Sequence, residues 1–224
     1  MAFWHYFGAR MAHALSRRSN LWLADALWKL GAVQFGEFTL GRTAVNSPVY
    51  INLRLLIGNP TALWKAAHVI HDQLLALRSM REPRVAAFDL VAGVPFGGLH
   101  IATAYSLTAK VPMIYLHPRK DDLGSDIEGR YEPGQTALIM DDLITGGGSI
   151  LETAIQLEEA GILVKDAVVI VDRQQGGRHR LRQYGINLVS ILSLEVMLNY
   201  LMSSHRISEE WYRRCTDYLR HSPY

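Results

Sequence analysis

The sequence predicts an α/β domain: a central, mostly parallel sheet flanked by helices, with a small N-terminal hood of helix and strands. Three observations carry this. From residue 88 onward, short apolar runs alternate with helically spaced segments, the pattern of strand–helix–strand units that pair in parallel. One run, Ala137, Leu138, Ile139 and Met140, passes into two adjacent carboxylates, a glycine-rich turn and an amphipathic stretch, which reads as strand, turn and helix. Ahead of the alternation, residues 35–54 hold two β-rich pieces around turn-forming residues.

At 224 residues, with 49% hydrophobic and 20% charged residues, the chain is long enough for one substantial core. A net charge of +2 gives bulk electrostatics no call for nucleic acid. The single cysteine, Cys215, excludes an intrachain disulfide and any CxxC metal site, and fits a reducing, cytoplasmic setting. No apolar run is long enough to span a bilayer. We expect an amphipathic arm at 1–20, a body at 21–206 with the hood within 31–58, and a C-terminal helix at 207–224.

Taken in order, the arm has no acid, carries Arg10, Arg17 and Arg18, and bears Phe3, Trp4, Tyr6 and Phe7. Such a start is a transit peptide, a membrane-surface helix, or a first helix packing on the body or on a second subunit. We expect packing, and no membrane contact. Ser19 is placed to cap a helix through Leu30, with Leu23, Leu27 and Leu30 inward and Gly31 as its stop. In 35–54 the turn between the β-rich pieces takes in Gly41, Asn46 and Pro48. Pro60 opens a helix whose inner face is Leu63, Ala67, Ile70, Leu74 and Leu77. His68 and His71 lie near that face with no third ligand in view, so no metal site is expected there. Strands are predicted at 88–94, 111–117, 136–142, 167–171 and 186–192, and helices at 97–109, 150–160 and 178–184. Ligands on such sheets bind outside the carboxyl ends of the strands, which would gather residues 93–97, the turn after Asp141, and Asp172-Arg173 around one crevice.

The stretch 137–152, ALIMDDLITGGGSILE, carries the chemistry. Glycines let backbone N–H groups approach a phosphate, and a following helix start favours its charge. There is no GxGxxG, and no Lys follows the glycines as a P-loop requires. Asp141 and Asp142 would repel a polyphosphate but can accept hydrogen bonds from two ribose hydroxyls, so a sugar 5-phosphate suits both halves. The plainer alternative is a glycine-rich turn with two solvated aspartates.

LIM-DD-LI-T-GGGS resembles the PRPP-binding motif of the type I phosphoribosyltransferases. SPVYINLR at 47–54, GVPFGG at 93–98, the DDLITGGGS turn and VDRQQGG at 171–177 then follow the order of the orotate phosphoribosyltransferases. The likeness is greatest to the form found in fused UMP synthases, and it runs over about 35–201. The resemblance implies a type I phosphoribosyltransferase-like fold and Mg²⁺-dependent transfer of phosphoribosyl from PRPP to orotate. The products would be orotidine 5′-phosphate and pyrophosphate, in UMP synthesis. It implies that Asp141 and Asp142 hold the ribose hydroxyls, Asp142 also serving catalysis. Leu143, Ile144, Thr145, Gly146, Gly147, Gly148 and Ser149 would form the rest of the PRPP turn, joined by Phe96, Gly97 and Arg42. Tyr50 and Ile51 would flank the base, and Thr145 and Arg173 would meet the orotate, the guanidinium facing its acidic edge. The Mg²⁺ would be held by PRPP and water without protein ligands. A homodimer is implied, and a partner enzyme of UMP synthesis is compatible with the resemblance.

The sequence departs from that family in its catalytic loop, HPRKDDLGSDIEGRYEPG at 117–134. Arg119 and Lys120 match its opening pair as catalytic cations. The loop is a few residues short, with Asp121 and Asp122 near where a second lysine is expected and Leu123 before Gly124. Gly41 stands where a lysine is usual, and Gly97 where many bacterial members have one. This thinned cationic set leaves open a weakly active or inactive protein that binds PRPP or a nucleotide, or a transferase for another base.

Overall fold

The computed structural model describes residues 20–40, 44–118 and 125–221. Helix α1 (Leu21–Lys29) buries Leu23, Ala24 and Leu27, the expected inner face. The expected cap, Ser19, lies outside the described residues. Asn20 occupies the cap position, but its amide is used elsewhere, donating to the Ile191 carbonyl at 2.8 Å and so tying the helix to the main sheet.

Strands β1 (Val33–Leu40) and β2 (Ala44–Ile51) form an antiparallel two-stranded sheet. Asn46 and Pro48 belong to β2 and not to the turn. Phe38 pairs with Ser47 and Leu40 with Ala44 across a register shift, and Asn46 sits at that irregularity with φ 52°. Asparagine is one of the few residues that tolerate a left-handed backbone there. Gly41 lies outside the described residues. A 3-10 turn (Leu53–Gly58) leads to α2 (Pro60–Arg78), where the Asn59 side chain accepts from the Ala62 N–H at 3.0 Å. His68 stacks on Trp64 and His71 on Tyr105. Among the described residues no group of three metal-capable side chains exists.

The main sheet holds β3 (Leu90–Gly93), β4 (Met113–Pro118), β5 (Ser125–Glu128), β6 (Thr136–Ile144), β7 (Leu163–Asp172) and β8 (Asn187–Ser193). Their order is β5-β4-β3-β6-β7-β8, parallel throughout except for β4–β5. Helices α3 (Gly97–Ala109), α4 (Gly148–Glu159), α5 (Gly177–Gln183), α6 (Leu194–Ser203) and α7 (Glu209–His221) complete the chain. Along β6, Leu138 and Met140 enter the core shared with α1, α2, α3 and α6, while Ala137 and Ile139 enter the core under α4 and α5. Burial on both faces is why these strands read as unbroken apolar runs.

Two elements run against expectation. β5 lies inside the stretch read as a loop, pairing Leu116 with Ile127, whose side chain packs on the second core. α6 has no place among the expected helices, although Leu194, Met197, Leu198 and Leu201 are buried at helical spacing. α7 falls within the expected C-terminal helix and packs on the two-stranded sheet, with Trp211 against Phe35 at 5.8 Å between ring centres. No described helix is long and apolar enough to cross a membrane.

Candidate functional site

A crevice of about 540 Å³ opens at the carboxyl ends of β3 and β6. Its floor is the continuous run from Asp141 to Ile150, one wall is Val94, Pro95 and Gly97, and the other is Tyr50 to Arg54 from β2 and the 3-10 turn. Strand, turn and helix follow in the order the sequence indicated, but β6 runs on through Asp141 and Asp142 to Ile144, so the acids lie within the strand, and α4 starts at Gly148, ahead of the expected residue 150. Gly147 takes φ 76°, and no side chain caps α4. The first-turn N–H groups of α4 therefore face the crevice without a side-chain acceptor, at the positive end of the helix.

Beside this turn the two carboxylates stand next to each other. Asp141 is buried and accepts the backbone N–H of Asp142 at 2.8 Å. Burial, reinforced by the neighbouring Asp142 charge, holds the Asp141 pKa well above the usual carboxylate range. Burial raises Asp142 as well, opposed by hydrogen bonding with Asp141, by the Leu143 N–H and by the charge of Arg54. The half-buried Asp142 opens on the crevice. Among the described residues neither carboxylate is in an ion pair, Arg54 acting on Asp142 only through its charge; a buried acidic pair of this kind is costly to folding and belongs with function.

Gly97 shows how tightly the pair is shaped. A Cβ there would stand 2.5 Å from the Asp142 carboxyl carbon, so any side chain must push the carboxylate aside. Gly97→Ala is expected to leave the thermal midpoint nearly unchanged, since the obstructed atoms are a side-chain end. It should weaken binding of a ribose-bearing ligand about tenfold, the loss of one hydrogen bond to a charged group. Calorimetry with ribose 5-phosphate checks this; undiminished affinity would take Asp142 out of sugar binding.

Tyr50, Ile51, Gly97 and the run from Asp141 to Ser149 all line the crevice. Phe96 does not: its side chain is 74% exposed. Arg173 is not among the lining residues: it is only 1% exposed, and its guanidinium donates to Gln175 Oε1 (2.8 Å), Ser47 Oγ (2.8 Å) and the Val49 carbonyl (3.3 Å), next to the Tyr50–Ile51 wall. Asp172 faces a neighbouring cavity and pairs with Arg178 at 3.1 Å. Of the three strand ends expected to converge, β3 and β6 bring their own residues to the crevice, the hood adds Tyr50 to Arg54, and the helix after β7 adds Arg180. Arg42, Arg119 and Lys120 lie outside the described residues.

Sequence reasoning passed over four polar lining residues: Asn52, Arg54, Glu152 and Arg180. Arg54 donates to Asn52 Oδ1 at 3.3 Å and to the Tyr50 hydroxyl at 3.4 Å, bracing the hood wall. Its signal was its place in SPVYINLR. Arg180 had only its position three residues after Gly177.

No family model matches the chain. Over 204 residues it is 36% identical to the uridine 5′-monophosphate synthase of Bos taurus, covering 90% of this chain and 41% of that protein. It is 35% identical over 188 residues to the orotate phosphoribosyltransferase of Chlamydia caviae, covering 82% of this chain and 86% of the other. Among solved structures, it superposes on the UMP synthase of Leishmania donovani with a TM-score of 0.78 at 32% identity, covering 89% of this chain and 42% of that one. The chain therefore spans less than half of the two UMP synthases and most of the chlamydial protein.

Proposed function

The chain belongs to the orotate phosphoribosyltransferase family, and on that premise we propose that it transfers phosphoribosyl from PRPP to orotate, yielding orotidine 5′-phosphate and pyrophosphate for UMP synthesis. The observation that carries the reading is the crevice itself. A carboxylate pair, one member largely buried, opens directly onto an uncapped helix start, facing a wall that offers an aromatic ring.

In this reading Asp141 and Asp142 accept the two ribose hydroxyls and fix the ring. The backbone from Leu143 through Ile144, Thr145 and the glycines to Ser149 carries the 5-phosphate. Tyr50 and Ile51 flank the base, with Thr145 in reach of it. Arg173, hydrogen-bonded to Ser47 and the Val49 carbonyl of β2, stands beside the base wall and fixes it. As the bond from the anomeric carbon to the pyrophosphate oxygen breaks, that from the carbon to the base nitrogen forms. The protein's work is to hold the sugar, exclude water and meet the charge growing on the leaving group.

The carboxylates at the crevice are the adjacent pair Asp141 and Asp142 and, apart from them, Glu152, and the three do not form a metal-holding group among the described residues. That set fits a hard cation arriving with the diphosphate rather than a resident protein cage. Bound Mg²⁺ supplies neutralising charge at the pyrophosphate.

Arg119 and Lys120 are the catalytic cations of the proposal, assigned to the charge of the leaving group. Lys120→Ala is expected to lower kcat by about a hundredfold, the usual cost of one donor aimed at developing charge, while PRPP binding holds. Turnover unchanged in that variant would assign the charge to other residues. We place the enzyme in the cytoplasm as a homodimer, with a partner enzyme completing UMP synthesis. Exposed Trp64 and Leu75 on α2 and Leu107 on α3 support a subunit contact. The test of function is loss of orotate absorbance when the purified chain is given PRPP, Mg²⁺ and orotate. Bound PRPP with no loss of orotate, at any protein concentration, would overturn the transfer.

A further inference from the structure

We infer that Arg180 is a cationic contact for the sugar 5-phosphate, swung over the glycine turn by α5; the inference rests on the phosphoribosyl reading of the crevice. Two backbone bonds tie the β6–α4 turn to the β7–α5 turn: the Arg173 N–H donates to the Ile144 carbonyl at 3.0 Å, and the Gly177 N–H to the Thr145 carbonyl at 2.9 Å. A Cβ on Gly177 would meet that Thr145 oxygen at 2.5 Å and Ile144 Cγ1 at 2.6 Å. Only glycine lets the two turns close to this distance. The closure sets α5 against the phosphate turn and delivers Arg180 to the crevice wall.

There the guanidinium Nη1 lies 3.5 Å from the Gly146 carbonyl and 3.9 Å from where a Cβ of Gly148 would stand. Both distances put it beside the N–H groups that start α4. The Gly146 contact is long and to a neutral acceptor, so a phosphate oxygen is the stronger partner. The other arginines of α5 are placed differently. Arg178 is committed to Asp172, the Leu188 carbonyl and Ser190. Arg182 lines the neighbouring cavity. With Asp141, Asp142 and Glu152 on the crevice, its described cations are Arg54 at the hood end and Arg180 at the turn. A phosphate monoester dianion at the turn calls for the second of these.

The test is calorimetry on the full chain with ribose 5-phosphate and, separately, with Mg-pyrophosphate, for the unaltered protein, Arg180→Gln, Arg180→Lys and Arg182→Gln. Arg180→Gln should weaken ribose 5-phosphate about tenfold, the weight of one hydrogen bond between charged groups, and leave pyrophosphate unchanged. Arg180→Lys should recover part of the loss, and Arg182→Gln, an equal change of charge off the crevice, should have no effect. Ribose 5-phosphate affinity unmoved by Arg180→Gln, matched by the Arg182→Gln loss, or lowered in step with pyrophosphate would overturn the inference. An unaltered protein that binds neither ligand would overturn the phosphoribosyl reading together with it.

Discussion

Replacing Asp141 and Asp142 together by asparagine is expected to lower affinity for PRPP by about a hundredfold, since two hydrogen bonds from ribose hydroxyls lose their charged acceptors and each amide turns an N–H donor toward the sugar. The same change is expected to raise stability near neutral pH. An amide oxygen at position 141 can still accept the backbone N–H of residue 142, as the Asp141 carboxylate does now, so the local turn survives. What disappears is the burden of the raised pKa values. A carboxyl whose folded pKa lies above its unfolded value binds more protons folded than unfolded. Its contribution is therefore best at low pH and worsens as pH climbs from the unfolded pKa through the folded one. The stabilisation by asparagine should accordingly be largest near neutral pH and shrink on acidification toward the ordinary carboxylate range. Thermal midpoints of both proteins across that range, with calorimetric PRPP titration, check both halves. A double variant that is less stable at neutral pH, or that binds PRPP as before, would contradict the assignment of the pair to sugar binding at the expense of folding.

Arg173→Ala carries the second large effect, and here stability should fall. The guanidinium fills a site between β7 and β2 and satisfies Ser47, Val49 and Gln175. Burial already works against its charge, and Tyr218 and Cys215 of α7 oppose that shift. Truncation removes three hydrogen bonds, two of them to acceptors that keep only each other as partners, and opens a void in their place, at a cost of about 3 kcal/mol. For a chain of this size that corresponds to roughly 10 °C in thermal midpoint. Hydrogen exchange should show where: amides of β1 and β2 should lose protection before those of the main sheet, because the mooring of the hood is what has gone. Arg173→Lys, retaining charge without the planar fork, should fall between. If Arg173→Ala instead keeps full stability and only raises the KM for orotate, the side chain serves the base directly and the mooring is unimportant.

These two sites show different degrees of legibility in the sequence. The carboxylate pair, the turn and α4 occupy neighbouring positions in the chain, so local rules suffice: an apolar run ends, acids follow, glycines turn, and an amphipathic period begins. The parallel sheet was legible for a related reason, since burial on both faces leaves unbroken apolar strands. Boundaries moved where pairing decided them: β7 starts at Leu163, four residues before the apolar run that marked it, because Thr136 on β6 pairs there. β5 escaped notice because its four residues acquire a strand's identity only by pairing with β4.

What the sequence by itself determined is therefore the α/β class, the phosphate turn with its two acids, and the family to which the motifs point. The tertiary structure alone decided what those motifs do to one another. Ser47 and Arg173 stand 126 residues apart in the chain and 2.8 Å apart in space, so SPVYINLR and VDRQQGG prove to be two sides of one clasp. Gly177 and Thr145 meet in the same way, bringing Arg180 to a turn built from another segment. Neither contact has a local signature, because a side chain's direction at a strand end depends on which partner strand arrives beside it, and that is settled only when the sheet and the hood close on a common core.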